Sequence, residues 1–249
     1  MFFSGQLPPT RYDLRFSIAG IPVSVHPSFW LIAVLFGASG VLELLPVWVL
    51  VVFVSILLHE LGHAFAFRRY GQRSSVLLYF GGGLTIPEPV YWGSGYANVG
   101  LTANQHIFIS LAGPGTGFLF AVLVMAAVLV TGGSVGISRL LGFIPLPLSA
   151  TVSFGGWIMT ALVSMLLWVN IFWGLINLMP VYPLDGGSVA RNVLVQVDPV
   201  SGVRKSLWLS VIAGGIVALL GLIFFRSLFI ALMFGLLAVQ SYQSLRGRY

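Results

Sequence analysis

Residues 55–70 read SILLHELGHAFAFRRY. They belong to an apolar run long enough to cross a bilayer, yet His59, Glu60 and His63 fall inside it. An acidic side chain near the middle of a transmembrane helix costs about 2.5–3.5 kcal/mol. Ionisable groups kept there despite that cost mark functional sites. The two histidines are four positions apart, so on a helix both imidazoles project from one face. That spacing lets two ring nitrogens reach one zinc ion at about 2.0–2.1 Å each. Glu60, next to the first histidine, is turned aside from direct coordination. In the H-E-x-x-H arrangement a glutamate so placed serves as general base.

The whole chain fits a membrane setting. Of its 249 residues, 58% are apolar and only 7% charged, against about 25% charged in a soluble domain. The composition is that of an integral membrane protein, with the lipid bilayer as its solvent. A net charge of +6 would draw nucleic acid to a soluble protein. Here the basic residues fringe apolar spans, and no nucleic-acid partner is expected. Cysteine is absent, which removes disulfides and thiolate ligands. The first sixteen residues, MFFSGQLPPTRYDLRF, lack the basic-then-apolar pattern of a secretory leader. One domain is expected over 1–249, with its core at 47–187 and the helices of 206–243 peripheral.

Apolar runs predict six spans, at 28–43, 46–68, 104–131, 157–178, 206–224 and 227–243. The first and last are near the lower limit of roughly 17 residues for crossing a bilayer, which leaves room for a partial span. With the N-terminus inside, ten basic residues fall on the cytoplasmic side: Arg11, Arg15, Arg68, Arg69, Arg73, Arg191, Arg204, Lys205, Arg246 and Arg248. Only Arg139 and Arg226 fall outside. This bias puts both termini in the cytoplasm. The stretches 16–26 and 76–92 are apolar but not helical in pattern, and read as strands or re-entrant loops whose backbone must be paired or cavity-lining. The expected fold is an all-α polytopic membrane protein of about six transmembrane helices, with small membrane-associated β-strands on the cytoplasmic side.

A catalytic zinc needs a third protein ligand. Downstream of His63 the candidates are Glu88, His106, Asp185 and Asp198. Glu88 stands between Pro87 and Pro89 and so cannot be a helical glutamate. Asp198 lies in the turn signal VDPVSG. His106 reads as a helix-start residue, and His26 as an interfacial residue before the first span. Asp185, in NLMPVYPLDGG, follows a span returning to the side of His59 and His63, after prolines that break the helix. Taken alone it serves equally well as N-cap of a following short helix. The unfinished zinc site favours the ligand reading.

Taken together, HELGH (59–63), LAGPGTG (111–117) and NLMPVYPLDGG (177–187) resemble the site-2 protease family of intramembrane zinc metalloproteases. The resemblance implies zinc, one ion per chain, held by His59, His63 and Asp185, with Glu60 as the base. It implies substrate binding by Asn177, and by Gly81, Gly82 and Gly83 in a strand that aligns substrate by edge pairing. Asn170 reads instead as a tether between helices. The middle motif departs from the family, with Gly117 where an asparagine is usual. Gly113 and Gly117 then form a small-xxx-small pair that lets the third span pack closely on its neighbours.

The expected activity is hydrolysis of a peptide bond within or near a transmembrane segment of a protein substrate, in regulated intramembrane proteolysis. The setting implied is a prokaryotic cell membrane. Two alternatives stand beside it: a metal-ion transporter, and a catalytically inactive membrane scaffold. The outer half of the span map offers Glu43 and Arg139 but little else for an ion path, and an inactive scaffold would have no use for Glu60.

Overall fold

The structure, a computed structural model, describes residues 10–37, 40–88, 90–92, 95–97, 100–140 and 144–247. Residues 1–9, Pro89 and Arg248, which enter the leader, proline-flank and charge-bias readings above, lie outside the described residues. The chain forms two compact units. One gathers the described residues up to Gly100 with Ala112–Gly174; the other gathers Leu101–Leu111 with the described residues from Leu175 onward.

The first unit opens with a hairpin of β1 (Leu14–Ile18) and β2 (Ile21–Val25). Its two-residue turn carries positive φ at Ala19 (49°) and Gly20 (79°), the backbone whose twist matches that of the flanking strands. Helices α1 (Pro27–Gly37) and α2 (Leu45–Arg69) follow, then β3 (Ser74–Tyr79) and β4 (Gly82–Pro87). The four strands make one sheet in the order β1-β2-β3-β4. β2 and β3 pair in parallel, Val23 opposite Val76, because α1 and α2 supply the long crossover that parallel strands require. Alternate residues Ser74, Val76 and Leu78 are buried along β3. They pack with Ile21, Val23 and Val25 onto Ile56, Leu57, Leu61 and Ala64 of α2. The segments read as strands or re-entrant loops are thus a sheet docked on the helix that bears the histidines.

Helix α1 has 11 residues, about 16 Å at 1.5 Å per residue and half of a 30 Å hydrocarbon core. The predicted first span, 28–43, is therefore the partial one. A 3-10 turn at Leu42–Leu44 runs into α2. Among the described residues, five helices are long and apolar enough to cross a membrane. Large apolar side chains on their surfaces, such as Leu50, Leu119 and Leu123, are more than half exposed. This is the surface of an integral membrane protein, where lipid rather than water covers them.

A short hairpin of β5 (Val90–Trp92) and β6 (Gly95–Ala97) precedes α3 (Ala103–Val130). After α3 comes a hairpin absent from the sequence reading, β7 (Ser134–Leu140) with β8 (Ile144–Thr151). Pro145 and Pro147 interrupt its apolar pattern, and it survives because it is a two-stranded edge structure. α4 (Gly156–Asn177) then begins; Ser164 ties the hairpin to it, exchanging 3.0 Å hydrogen bonds with the Ala150 amide and carbonyl.

The second unit holds α5 (Asp185–Val197), α6 (Gly202–Ile223) and α7 (Leu228–Arg246). Val181, Phe234 and Leu237 form its core. Asp198 makes the α5–α6 turn: its Oδ1 accepts from the amides of Val200 and Ser201, and its Oδ2 pairs with Lys205 at 2.9 Å. That is the solvent-side turn expected of VDPVSG.

Candidate metal centre

His59, Glu60 and His63 lie in the third quarter of α2, each less than 8% exposed. Four-residue spacing brings the two imidazoles together, with Nε2 of His63 3.2 Å from Nε2 of His59. Two nitrogens bound to one tetrahedral zinc at 2.0–2.1 Å stand roughly 3.3 Å apart. The pair already has the spread of two ligands on one ion. Gly113 of α3 faces the same point: a methyl group there would collide with Nε2 of both histidines. The space a side chain would take is left open where an ion would sit. Donor chemistry and geometry both fit zinc.

Glu60 is fixed from the sheet. The Thr85 hydroxyl on β4 stands 2.8 Å from Glu60 Oε2 and 3.0 Å from the Glu60 carbonyl oxygen. With a single proton it donates to one at a time, and a carboxylate is the stronger acceptor. Gly83, also on β4, lies flat against the glutamate; a Cβ there would overlap its Cγ, Cδ and Oε1. Gly82, at φ 107°, backs onto the Trp173 ring, and Gly81 onto the Tyr79 ring. β4 is the outer strand of its sheet. The glycines read as substrate contacts therefore include one, Gly83, whose visible task is to make room for Glu60.

Neighbouring helices close around this turn. A Cβ on Gly62 would strike the Ala112 carbonyl and the Thr116 hydroxyl, so α2 and α3 touch backbone to backbone there. Asn170 of α4 donates through Nδ2 to Ser55 Oγ at 2.9 Å and to the Leu166 carbonyl at 2.8 Å. It is the tether the sequence reading assigned. A Cβ on Gly117 would lie 3.5 Å from the Asn170 carbonyl and Oδ1, ordinary van der Waals distance. Of the small pair on α3, Gly113 is the tight one.

In the second unit, Asp185 is the first residue of α5 and half-buried, with Leu184 in the N-cap position. Its loop is tightly wound. Gly186 abuts the Leu178 carbonyl and Gly187 the Tyr182 amide, leaving no room for a Cβ at either. The Tyr182 amide donates to Ser210 at 3.0 Å, and the Arg191 guanidinium stacks 3.8 Å above the Tyr182 ring. Asn177 ends α4 and is buried. His26 bonds Ser28 through Nδ1 at 2.7 Å, and His106 occupies the first turn of α3. Glu88 lines a separate cavity. Thr85, Ser210 and Arg191 escaped the sequence reading because no motif carries them; their roles arise from residues 25 or more positions away or from a stack across a turn.

Apolar spans around a buried His–Glu–x–x–His turn define a membrane protein with a zincin-type centre. The comparisons with known proteins agree with that class. Residues 47–221 match the profile described as Peptidase family M50, and the chain belongs to that family. A zinc metalloprotease of Methanocaldococcus jannaschii is 25% identical over 86% of this chain and 54% of its own length. Rip3 of Mycobacterium tuberculosis, provisionally named a zinc metalloprotease, is 30% identical over 72% of this chain and 35% of its own. The chain thus spans about half, or less, of the curated relatives it matches. A solved structure of a site-2 protease from M. jannaschii shares the fold, with TM-score 0.55 and 23% identity over 94% of this chain and 95% of that one.

Proposed function

We propose that the chain is an intramembrane zinc metalloprotease that hydrolyses a peptide bond within or near a transmembrane segment of a protein substrate. The observation that carries this is the convergence of the two Nε2 atoms, 3.2 Å apart, beside a carboxylate held by Thr85 and a gap kept by Gly113. His59, His63 and Asp185 are the proposed ligands, two imidazoles and a carboxylate of the kind that hold a catalytic zinc while leaving one position open. When bound, zinc supplies Lewis acidity toward water and the scissile carbonyl. Glu60 takes the proton released from the attacking water and returns it to the leaving amine. Burial of Glu60 keeps bulk water from competing for that proton.

Asn177 and the β4 glycines Gly81, Gly82 and Gly83 are the proposed substrate contacts. The outer position of β4 supports this, since an unpaired edge can accept an extended peptide as a further strand. A helical substrate must unwind first, because its carbonyls are already hydrogen-bonded. Regulated release of a membrane-tethered protein, in a prokaryotic cell membrane and with both termini of this chain cytoplasmic, is the biological reading. The prokaryotic sources of the relatives support the setting, and the basic-residue bias supports the orientation.

Two variants of the purified chain test the reading. Wild type should carry about one zinc per chain, and Asp185→Ala sharply less. Glu60→Gln should keep its zinc and lose cleavage of a reporter transmembrane segment. Equal zinc in wild type and Asp185→Ala would remove Asp185 from the ligand set. Cleavage retained in Glu60→Gln would exclude the mechanism.

A further inference from the structure

At the Arg68–Arg69 end of α2, reaching from Ala64, next after His63, to Arg68, about 7.5 Å beyond His63 along the helix, the first unit forms a cavity of about 310 Å³. Arg68, Arg73, Ser74 and Glu88 line it, together with Ala64 of α2 and Gly20 of the β1–β2 turn. Arg68 is held in place by donating through Nη1 to the Ala19 carbonyl, which leaves its other N–H groups to serve a ligand. Among the described residues neither Arg68 nor Arg73 is ion-paired, although Glu88 lines the same cavity. The Ser74 side chain is buried, and its hydroxyl has no hydrogen-bond partner. Two guanidiniums outnumber the one carboxylate in this concave site at the end of a membrane span, and among the described residues neither forms an ion pair, so the cavity keeps an excess of donors for an anion. Such forks match the oxygens of a phosphate, and the level at which a span ends is where phospholipid phosphates lie.

We infer that this cavity binds a phosphodiester headgroup, with the phosphate between Arg68 and Arg73 and a donor on the headgroup, ammonium or hydroxyl, engaging Glu88. Glu88 decides the selectivity. A headgroup with N–H or O–H donors can satisfy its carboxylate, whereas a trimethylated choline cannot. The cavity would hold the Arg end of α2 at a fixed depth in the membrane and so set the height of His59 and His63.

The test uses the full chain in detergent, delipidated and then mixed with defined lipids, with bound lipid read by native mass spectrometry. Phosphatidylethanolamine should be retained about tenfold over phosphatidylcholine. Arg73→Gln should lower that retention about tenfold, consistent with losing one surface cation that contacts the phosphate. Arg73 is exposed, so the variant should fold, and thermal unfolding of the lipid-free protein checks this. Glu88→Gln should abolish the preference for ethanolamine and leave phosphate binding in place. Binding of inorganic phosphate alone, lost in Arg73→Gln and with no lipid retained, upholds the phosphate site and assigns its occupant to solution. Lipid and phosphate retention unchanged in both Arg73→Gln and Glu88→Gln overturns the proposal. As a second readout on the wild type, added phosphatidylethanolamine should raise the unfolding temperature more than phosphatidylcholine does; equal shifts also overturn it.

Discussion

The turn of α2 around His59 and the α6–α7 hairpin solve the same problem in opposite ways. Both place polar groups within apolar helices. In the hairpin, the two buried hydroxyls of α6 turn back on their own helix: Ser206 donates to the Val203 carbonyl at 2.7 Å and Ser210 to the Ser206 carbonyl at 2.9 Å. Its small residues Gly214 and Gly221 face Ala238 and Ile230 and let α7 approach. Both hydroxyl protons are thus spent within α6, and Ser210 Oγ in addition accepts from the Tyr182 amide. The His59 turn cannot be satisfied in that way, because imidazoles and a carboxylate outrun the reach of a helix's own backbone. It is enclosed by a sheet that supplies Thr85 and Gly83, by α3 that supplies a gap at Gly113, and by α4 that supplies Asn170. A chemically active site in lipid requires a protein wall around it, and here a four-stranded sheet builds one side.

Substitutions at the wall should therefore hurt far more than equal changes in the hairpin. The largest effect is expected at Gly113→Ala, whose methyl collides with both Nε2 atoms. Zinc affinity should fall about 10–100-fold, the range seen when support around a metal site is disturbed, and metal analysis of purified protein reads it directly. Next comes Gly62→Ala, which pushes α3 away from α2 by a clash with the Ala112 carbonyl. It should cost about 1–3 kcal/mol by overpacking, seen as a lower unfolding midpoint in detergent. Zinc bound normally by Gly113→Ala would mean that the gap serves packing and not the ion.

Thr85 separates positioning from structure. Thr85→Val keeps the shape but removes the donor to Glu60 Oε2. Cleavage should fall about tenfold or more in kcat, the scale of one hydrogen bond to a charged group, while zinc content and KM stay unchanged. Thr85→Ser should restore most of the rate. A merely structural threonine would lower stability and be rescued equally by valine.

The pattern of what could be foreseen follows the same division. Helix periodicity makes His59, Glu60 and His63 a set before any coordinates exist, because spacing within one helix is local information. The apolar stretches 16–26 and 76–92 are unsuited to helix, and most of β1 to β4 falls within them. The parallel β2–β3 pairing could not be foreseen, since it depends on a contact across two intervening helices. The part Thr85 and Gly83 play at Glu60 is illegible in the sequence for the same reason: a lone threonine and a third glycine in a run meet the glutamate only when β4 is laid on α2. The β7–β8 hairpin was missed because Pro145 and Pro147 suppress the strand signal. The end of α1 at Gly37 was missed because Gly40 and Val41 continue the low polarity of the run past the point where the helix stops.

The smallest expected effects belong to the other side of the comparison. Leu219 of α6 is 61% exposed, and lipid covers it as well as protein would. Leu219→Ala should change stability by no more than about 0.5 kcal/mol, against about 2–5 kcal/mol for Leu61→Ala in the core beneath the sheet. The α5–α6 turn offers a pH test outside the membrane. The Lys205 hydrogen bond, aided by the Ser201 amide, holds the Asp198 carboxyl below its ordinary range. A depressed carboxylate stabilises the folded state above its unfolded pKa, and that contribution is lost as pH falls through the folded one. Wild type and Asp198→Asn should therefore differ slightly in unfolding temperature at neutral pH and converge below the usual carboxylate range. A gap that persisted in strong acid would show that the side chain acts there through its shape and the Val200 and Ser201 amides, and not through its charge. Because the Asp198 side chain is partly exposed and Lys205 more so, added salt should shrink the charge-dependent part of the gap. Salt should leave the Leu61 effect untouched, since the core beneath the sheet owes nothing to solvent-screened charge.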